Sequence, residues 1–171
     1  MSIEISDYDR AWPGRARHAI DEVTALLPGR IVLAEHVGST AVPGLPAKPV
    51  IDMMVATADL GDVLEAEEAL RAIGYRRIET GMPERLFYRR PGYHLHVVTT
   101  ASWDTRNERL LRDHLLGNAA DRDEYGRLKR QLAAAGDDAD AYTRGKTALI
   151  QRMVDAARAA KGLPSVDVWE E

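Results

Sequence analysis

The sequence predicts an α+β fold, α/β-like in its N-terminal part, in which helices flank a mixed β-sheet and a helical unit completes the chain. Short β-branched or aromatic runs, typical of strands, alternate with helical repeats up to about residue 99. Arg90-Pro91-Gly92 is a hairpin signal between two of these runs. After them only helical spacing of apolar residues remains, over 102–117, 121–135 and 138–161.

The earlier elements can be placed one by one. The first helix is expected to begin at Trp12-Pro13, where proline suits a first helical turn, and to end near Pro28-Gly29. A second amphipathic helix is expected over 59–73, closed by Gly74 at its C-terminal cap. Strands are expected at 31–34, continuing toward Gly38, and at 50–55, 75–78, 85–89 and 93–99.

Length and composition limit the class of protein. The 171 residues predict a single domain over 1–162 with a flexible tail at 163–171, since domains average roughly 150 residues. The absence of cysteine excludes disulfides, thiolate zinc sites and a cysteine nucleophile. A net charge of −4 provides no basic field for nucleic acid. No signal peptide and no apolar run of the ~18 residues needed for a membrane span is present, so a cytoplasmic protein is expected.

The segment 38–49 is the first candidate site. It joins two expected strands and is rich in glycine and proline, so it cannot form a long regular helix. Glycine lets the backbone approach a ligand closely, and exposed N–H groups beside the Ser39 and Thr40 hydroxyls suit phosphate oxygens. The alternative is a crossover loop stiffened by proline. A Walker-type phosphate loop does not occur.

Three ionisable residues interrupt apolar strands. Strand alternation places Asp52 on one face with Met54, where burying a carboxylate is costly without a cation or several hydrogen-bond donors. His94 and His96 share one face of their own strand and could bind metal, contact phosphate or carry protons. His36 could complete a three-histidine site. The structural alternatives are an arginine pair or loop cap for Asp52, and an ordinary polar sheet face for the histidines.

Basic residues supply possible phosphate contacts. Lys48 follows the 38–49 loop, and helical spacing places Lys146 on an apolar stripe, where an ammonium needs a partner or must extend to solvent. Arg85 alternates along a strand with Arg89 and could add charge to the histidine face. The segment 127–130 is interpreted as a solvated helix surface.

The segment 35–52, from Glu35-His36-Val37-Gly38-Ser39-Thr40 to Val50-Ile51-Asp52, closely resembles the GrpB family. The resemblance continues at Tyr8-Asp9, Ala11-Trp12-Pro13, the strand 94–98 and the helices, and covers about residues 3–157. It implies a nucleotidyltransferase-type domain, found alone or fused behind dephospho-CoA kinase. The family therefore implies a fold more strongly than a reaction.

The resemblance also exposes a departure from the superfamily pattern. That pattern has a glycine followed by Gly or Ser, then two acids separated by one residue on a strand. Val37-Gly38-Ser39 and Asp52 match, but Met54 stands at the second acid. Transfer with two metal ions uses paired carboxylates, so a single ion or another ligand set is expected, with histidine favouring Mn²⁺ or Zn²⁺ over Mg²⁺.

These patterns lead to a leading hypothesis, a metal-dependent nucleotidyltransferase that uses a nucleoside triphosphate and a small-molecule acceptor. Gly38, Ser39 and Thr40 would hold the phosphates, and Lys48, Arg85 and Lys146 would neutralise them. Asp52 and His96 would hold the divalent metal, and His96 or His94 would be the general base. The alternatives are a non-catalytic nucleotide- or CoA-like-binding module and a metal hydrolase built on His36, Asp52, His94 and His96. The sequence assigns no oligomeric state.

Overall fold

The structure is a computed structural model that describes residues 3–82, 84–136 and 138–168. Its internal contacts separate the chain into two compact units, each built from distant stretches of sequence. The sheet unit comprises Arg10–Val37 and Val50–Arg106. The helical unit comprises Met1–Asp9, Gly38–Pro49 and Asn107–Glu171. The expectation of one domain over 1–162 stays a prediction.

The sheet unit contains a five-stranded mixed sheet in the order β1-β2-β5-β4-β3. The pair β2 and β5 is parallel, and the other three pairs are antiparallel. This arrangement confirms the α+β class, the mixed sheet and the predicted hairpin between β4 and β5. The elements in chain order are α1 (Trp12–Leu26), β1 (Leu33–Val37), β2 (Ile51–Thr57), α2 (Leu60–Glu65), α3 (Glu67–Ala72), β3 (Arg76–Arg77), β4 (Arg85–Arg90) and β5 (Tyr93–Thr99).

The two faces of the sheet have different neighbours. Helices α1 and α2 pack against β2, which is buried along nearly its whole length. The face that carries Asp52 instead ends in an apolar cluster of Val37, Met54, Ala56, Val98 and Trp103. No residue of a helix α1 to α3 belongs to that cluster. Strand alternation therefore divides β2 as predicted, with Asp52 on the face opposite Met53.

Two predicted helices have different bounds in the structure. The helix expected over 59–73 is two short helices, because the backbone at Ala66 (φ −104°, ψ 12°) departs from helical geometry. The helix expected over 102–117 begins only at Asn107, after a 3₁₀ segment at Thr100–Thr105. There the Ser102 hydroxyl donates to the Thr99 carbonyl at 3.0 Å. Such local side-chain bonds compete with helix formation, and apolar spacing does not reveal them.

The helical unit consists of three helices and the segment that joins β1 to β2. The helices are α4 (Asn107–Gly117), α5 (Ala119–Ala134) and α6 (Ala139–Ala160). The joining segment contains one 3₁₀ turn, Ser39–Ala41, and contributes Val42 and Leu45 to the apolar core of this unit. The predicted absence of a long helix in this segment is confirmed. No described helix has the length and apolar character required to cross a bilayer.

The segment 163–168 makes hydrogen bonds to side chains of α6, and the flexible tail expected over 163–171 stays a prediction. The Arg158 Nε–H donates to the Pro164 carbonyl at 2.6 Å. The Gln151 amide donates to the Val166 carbonyl at 2.8 Å and accepts from the Val168 N–H at 3.0 Å. The last part of the predicted tail, 169–171, lies outside the described residues. Polar side chains of α6 thus contact a segment that has no periodicity of its own.

Candidate active site

The Asp52 carboxylate is the centre of a polar cluster in the sheet unit. The parallel pairing of β2 with β5 places Asp52 beside His94, and His96 follows two positions later on the same face. The same carboxylate oxygen, Oδ1, lies 3.3 Å from His94 Nδ1 and 3.4 Å from His96 Nε2. The structure therefore brings together the three residues that the sequence predicts as catalytic.

The two neighbouring histidines stabilise the negative charge of the Asp52 carboxylate. Burial by itself raises the pKa of the Asp52 carboxyl, but the hydrogen bonds and positive charge of His94 and His96 outweigh burial and hold that pKa well below its usual range. The side chain is 26% exposed, as is that of His94. Asp52 is thus a carboxylate at neutral pH, reachable from solvent beside one of its imidazoles.

His96 is the fixed member of this cluster. It is 3% exposed and stacks on Phe87, with ring centroids 4.9 Å apart. Its Nδ1 lies 3.3 Å from Nη1 of Arg85. Because a guanidinium only donates, Nδ1 must accept, which leaves the proton of a neutral ring on Nε2, facing Asp52. Both ring nitrogens of His96 are therefore engaged, and its role is to position the carboxylate.

His94 is the accessible member. Its ring meets the edge of Phe87 at a centroid distance of 5.3 Å, and its Nδ1 faces Asp52. Since the carboxylate only accepts, Nδ1 of a neutral His94 carries the proton and Nε2 carries the lone pair. A carboxylate that orients an imidazole in this way forms a dyad able to take a proton from a hydroxyl or amine.

The donor set does not fit a two-metal centre. Met54, at the position of the second acid, is 0% exposed and belongs to the apolar cluster. Among the residues that the structure describes, no group of three or more histidines and acids is arranged to hold a metal ion. His96, the predicted second ligand, uses both nitrogens within the protein. A divalent metal therefore remains a prediction, and no step below passes through one.

His36 lies on the opposite face of the sheet from Asp52. It is paired with Met53 across β1 and β2, whereas Val37 is paired with Asp52. Directly opposed residues project to the same side, so the predicted three-histidine site is wrong. Glu35, which the sequence reasoning did not single out, is paired with Met54 and shares the Asp52 face. Only the register of the strands decides which of the two neighbours faces the site.

The 38–49 segment has a backbone that requires glycine at its start. Gly38 has φ 75° and ψ −177°, a backbone conformation that residues with a side chain disfavour. Residues in such conformations are frequent at ligand-binding sites. The 3₁₀ turn follows, with the Ala41 N–H donating to the Gly38 carbonyl at 3.1 Å. Thr40 is 0% exposed, so its predicted contact with a ligand phosphate is not supported. Ser39 is partly exposed.

Lys129 holds this segment and was missed by the sequence reasoning. It is 3% exposed, although 127–130 was interpreted as a solvated surface, so that interpretation is wrong at this position. Its ammonium bonds to the Ser39 hydroxyl and to the Pro46 carbonyl at 3.3 Å, and lies 4.6 Å from the Tyr125 ring centroid. The available signal was the four-residue spacing from Tyr125 in a chain with few lysines.

Two further lysines meet at one tyrosine. The ammonium of Lys48 lies 4.8 Å, and that of Lys146 4.6 Å, from the ring centroid of Tyr142. Tyr142 is 1% exposed, and burial raises its pKa to about 12, so it stays neutral. The helical unit thus concentrates two positive charges on one uncharged ring. The predicted role of Lys48 and Lys146 in binding an anionic ligand stays a prediction.

Comparison with known proteins gives the family. The GrpB protein family matches residues 2–156. A UPF0157 protein of Streptomyces coelicolor is 36% identical over 94% of this chain and 87% of its own length. The crystal structure of the conserved protein GrpB from Enterococcus faecalis superposes with a TM-score of 0.87 at 28% identity, covering 93% of this chain and 99% of that chain. The chain belongs to the GrpB family, which confirms the resemblance.

One further solved structure has a distant likeness in fold. The structure of Cid1 in complex with the UTP analog UMPNPP has a TM-score of 0.44 at 14% identity, covering 74% of this chain and 42% of that chain. No functional step rests on a likeness of this size.

Proposed function

We propose that this member of the GrpB family is a transferase that moves a nucleotidyl group from a nucleoside triphosphate to a hydroxyl or amine of a small molecule. The Asp52–His94 dyad is the observation that carries this proposal. It supplies an ionised carboxylate and an imidazole nitrogen in one accessible place, which is the equipment of general base catalysis.

The proposed step balances as follows. Nε2 of His94 takes the proton of the acceptor hydroxyl while the acceptor oxygen attacks the α-phosphorus of the triphosphate. The bond from that phosphorus to the bridging oxygen breaks, and pyrophosphate leaves. Asp52 stabilises the imidazolium through Nδ1, at a nitrogen to oxygen distance of 3.3 Å.

His96 and Arg85 have a supporting role in this scheme. Arg85 donates to Nδ1 of His96, which keeps the Nε2 proton toward Asp52. We therefore propose that Arg85 positions the dyad, in place of the phosphate contact that the sequence predicts for it. It also favours His94 over His96 as the general base, because His96 is buried and uses both of its nitrogens.

Phosphate binding is assigned to the helical unit. Lys48 and Lys146 provide ammonium groups around Tyr142, and the backbone at Gly38 and Ser39 provides a glycine turn. Lys48→Ala is expected to weaken nucleotide affinity by about 1.5–3 kcal/mol, as for a hydrogen bond to a charged partner. Calorimetry with a nucleoside triphosphate measures this, and unchanged affinity would remove Lys48 from the proposal.

The catalytic role is tested by product formation. The protein is incubated with an α-labelled nucleoside triphosphate, Mg²⁺ or Mn²⁺ and a pool of small metabolites, and nucleotidylated products are sought by mass. We expect products from the wild type and from His18→Gln, an exposed histidine on α1, but far fewer from His94→Gln. Equal yields from His94→Gln would refute the dyad.

The second candidate is a non-catalytic nucleotide- or CoA-like-binding module. Met54 favours it, because an acid at that position is replaced by a fully buried apolar side chain. A module would bind nucleotide through Lys48 and Lys146 and yield no product with any acceptor. Tight binding that Lys48→Ala weakens, together with no turnover from an extensive acceptor pool, would select this candidate.

A further inference from the structure

The helical unit contains an open cleft of about 450 Å³ that the proposed reaction does not use. One wall is the N-terminal segment at Asp7 and Tyr8, another is the loop at Gly44 and Pro46, and the third is one side of α5. The volume lies within the range of small-molecule sites, roughly 300–1,000 Å³. The cleft can therefore hold a ligand of the size of a sugar or a nucleotide.

The walls of this cleft are fixed by contacts within the helical unit. A Cβ at Gly126 would lie 3.0 Å from Cδ of Pro46, so glycine permits the loop to lie directly on α5. Lys129 bonds to the Pro46 carbonyl from the same helix. Ser6 and Ala47 exchange two backbone hydrogen bonds, of 2.9 and 3.0 Å, which attach the N-terminal segment to the loop. A ligand thus meets a cleft that is already shaped.

Arginines of α5 give the cleft its positive charge. Arg122, Arg127 and Arg130 line it. Nη1 of Arg122 donates to the Leu115 carbonyl at 3.2 Å, and Nη2 of Arg130 donates to the Asp7 carboxylate. These contacts orient two guanidiniums, while Arg127 is exposed at the cleft. A guanidinium has five N–H donors in a planar fork that matches the oxygens of phosphate.

The other residues that line the cleft limit which class of ligand it can bind. Asp123 also lines the cleft, and its exposed carboxylate would repel a bare anion but accept hydrogen bonds from hydroxyl groups. Tyr8 is a further residue of the cleft lining. We propose that this cleft binds a hydroxyl-bearing organic phosphate of the sugar phosphate class, its phosphate at the α5 arginines and its hydroxyls at Asp123.

The test is calorimetric titration of the full chain with ribose 5-phosphate as the probe. We expect saturable binding that Arg127→Gln weakens about tenfold to a hundredfold, the effect of losing one charged hydrogen bond. Arg17→Gln, an exposed arginine on α1, is the matched control and should bind as the wild type does. Ribose should not bind. Asp123→Asn should weaken the binding of ribose 5-phosphate more than the binding of inorganic phosphate.

Each of the following outcomes would overturn the proposal: no saturable binding of ribose 5-phosphate, equal affinity in Arg127→Gln, or inorganic phosphate binding as tightly as the sugar phosphate. Loss of binding in Lys48→Ala would place the probe at the Tyr142 lysines and also contradict it. The proposal is independent of the transferase. Equal product yields from the wild type and His94→Gln would refute the transferase and leave the binding of ribose 5-phosphate in this cleft unaffected.

Discussion

Carboxylate–imidazole contacts occur in both units, among the residues that the structure describes. In the sheet unit, Asp52 receives His94 and His96 on a single oxygen, at 3.3 and 3.4 Å. In the helical unit, Asp121 Oδ2 meets His114 Nε2 at 2.6 Å, and its Oδ1 meets Nη2 of Arg152 at 3.1 Å. The second pair is the shorter and engages both carboxylate oxygens.

The difference shows that a close histidine–acid pair is not by itself a catalytic site. Asp121 connects three helices, since His114 lies on α4 and Arg152 on α6, and His114 is only 14% exposed. These contacts join helices α4, α5 and α6 to one another. Asp52 lies on a sheet and orients His94, which is 26% exposed. The first pair is therefore assigned to chemistry and the second to stability, which the following variants test.

The largest effect is expected for His94. His94→Gln should lower the transfer rate by about 10²–10⁴-fold, the usual contribution of a general base, while the unfolding midpoint changes little. His114→Gln should leave the rate unchanged. Product formation under saturating nucleotide, compared with thermal unfolding of both variants, measures this. A comparable loss of rate in His114→Gln would end the distinction.

Stability should respond in the opposite order. Asp121→Asn is expected to lower the free energy of unfolding by about 1.5–3 kcal/mol, because it weakens charged hydrogen bonds that join α4, α5 and α6. Asp52→Asn should lower it less, since its carboxylate lies 3.3 and 3.4 Å from the two imidazoles and is more exposed than that of Asp121. Urea unfolding at neutral pH compares the two. Greater destabilisation by Asp52→Asn would assign a structural role to that carboxylate.

The stability of the protein at acid pH should depend on Asp52. Its pKa is depressed in the folded chain, so its contribution to stability is complete above the ordinary carboxyl pKa near 4 and is lost progressively as the pH falls below that value. Unfolding free energies of the wild type and Asp52→Asn, measured between pH 5 and pH 2.5, should therefore converge as the pH decreases. A constant difference would mean that Asp52 has no special stabilisation.

The smallest effect is expected at Arg152. Its side chain is 55% exposed where it meets Asp121 and Glu124. Exposed ion pairs contribute little to stability, so Arg152→Gln should shift the urea midpoint only slightly and less than Asp121→Asn does. Arg144→Gln, exposed on the same helix, is the control. A larger loss at Arg152 would show that the ion pair, rather than His114, holds the helices together.

Local pattern was enough to predict much of the site. The alternation of β2 and β5 correctly placed Asp52, and both His94 and His96, on single faces, because strand geometry repeats every two residues. Helical spacing placed Lys146 where it meets the buried Tyr142. The composition of 38–49 indicated a glycine turn, and Gly38 has the backbone that requires it.

Side-chain contacts over long separations could not be predicted in this way. Lys129 and Ser39 bond across 90 positions of the chain, so a local reading placed Lys129 in solvent. The segment 163–168 has no periodicity of its own, and its hydrogen bonds to Arg158 and Gln151 join it to α6. His36 and Glu35 are neighbours, and only the register with β2 decided which one shares the Asp52 face.

The sequence by itself determined the fold class, most elements and the residue types of the site, since periodicity, turn chemistry and charge are local properties. The tertiary structure decided the roles. Asp52 and His96 are 44 positions apart, and only the parallel pairing of β2 with β5 brings them together. Arg85 then fixes the tautomer of His96, and the exposure of His94 distinguishes the proposed general base from the buried His96. Proton transfer depends on distance and access, which the chain acquires only when distant strands pair.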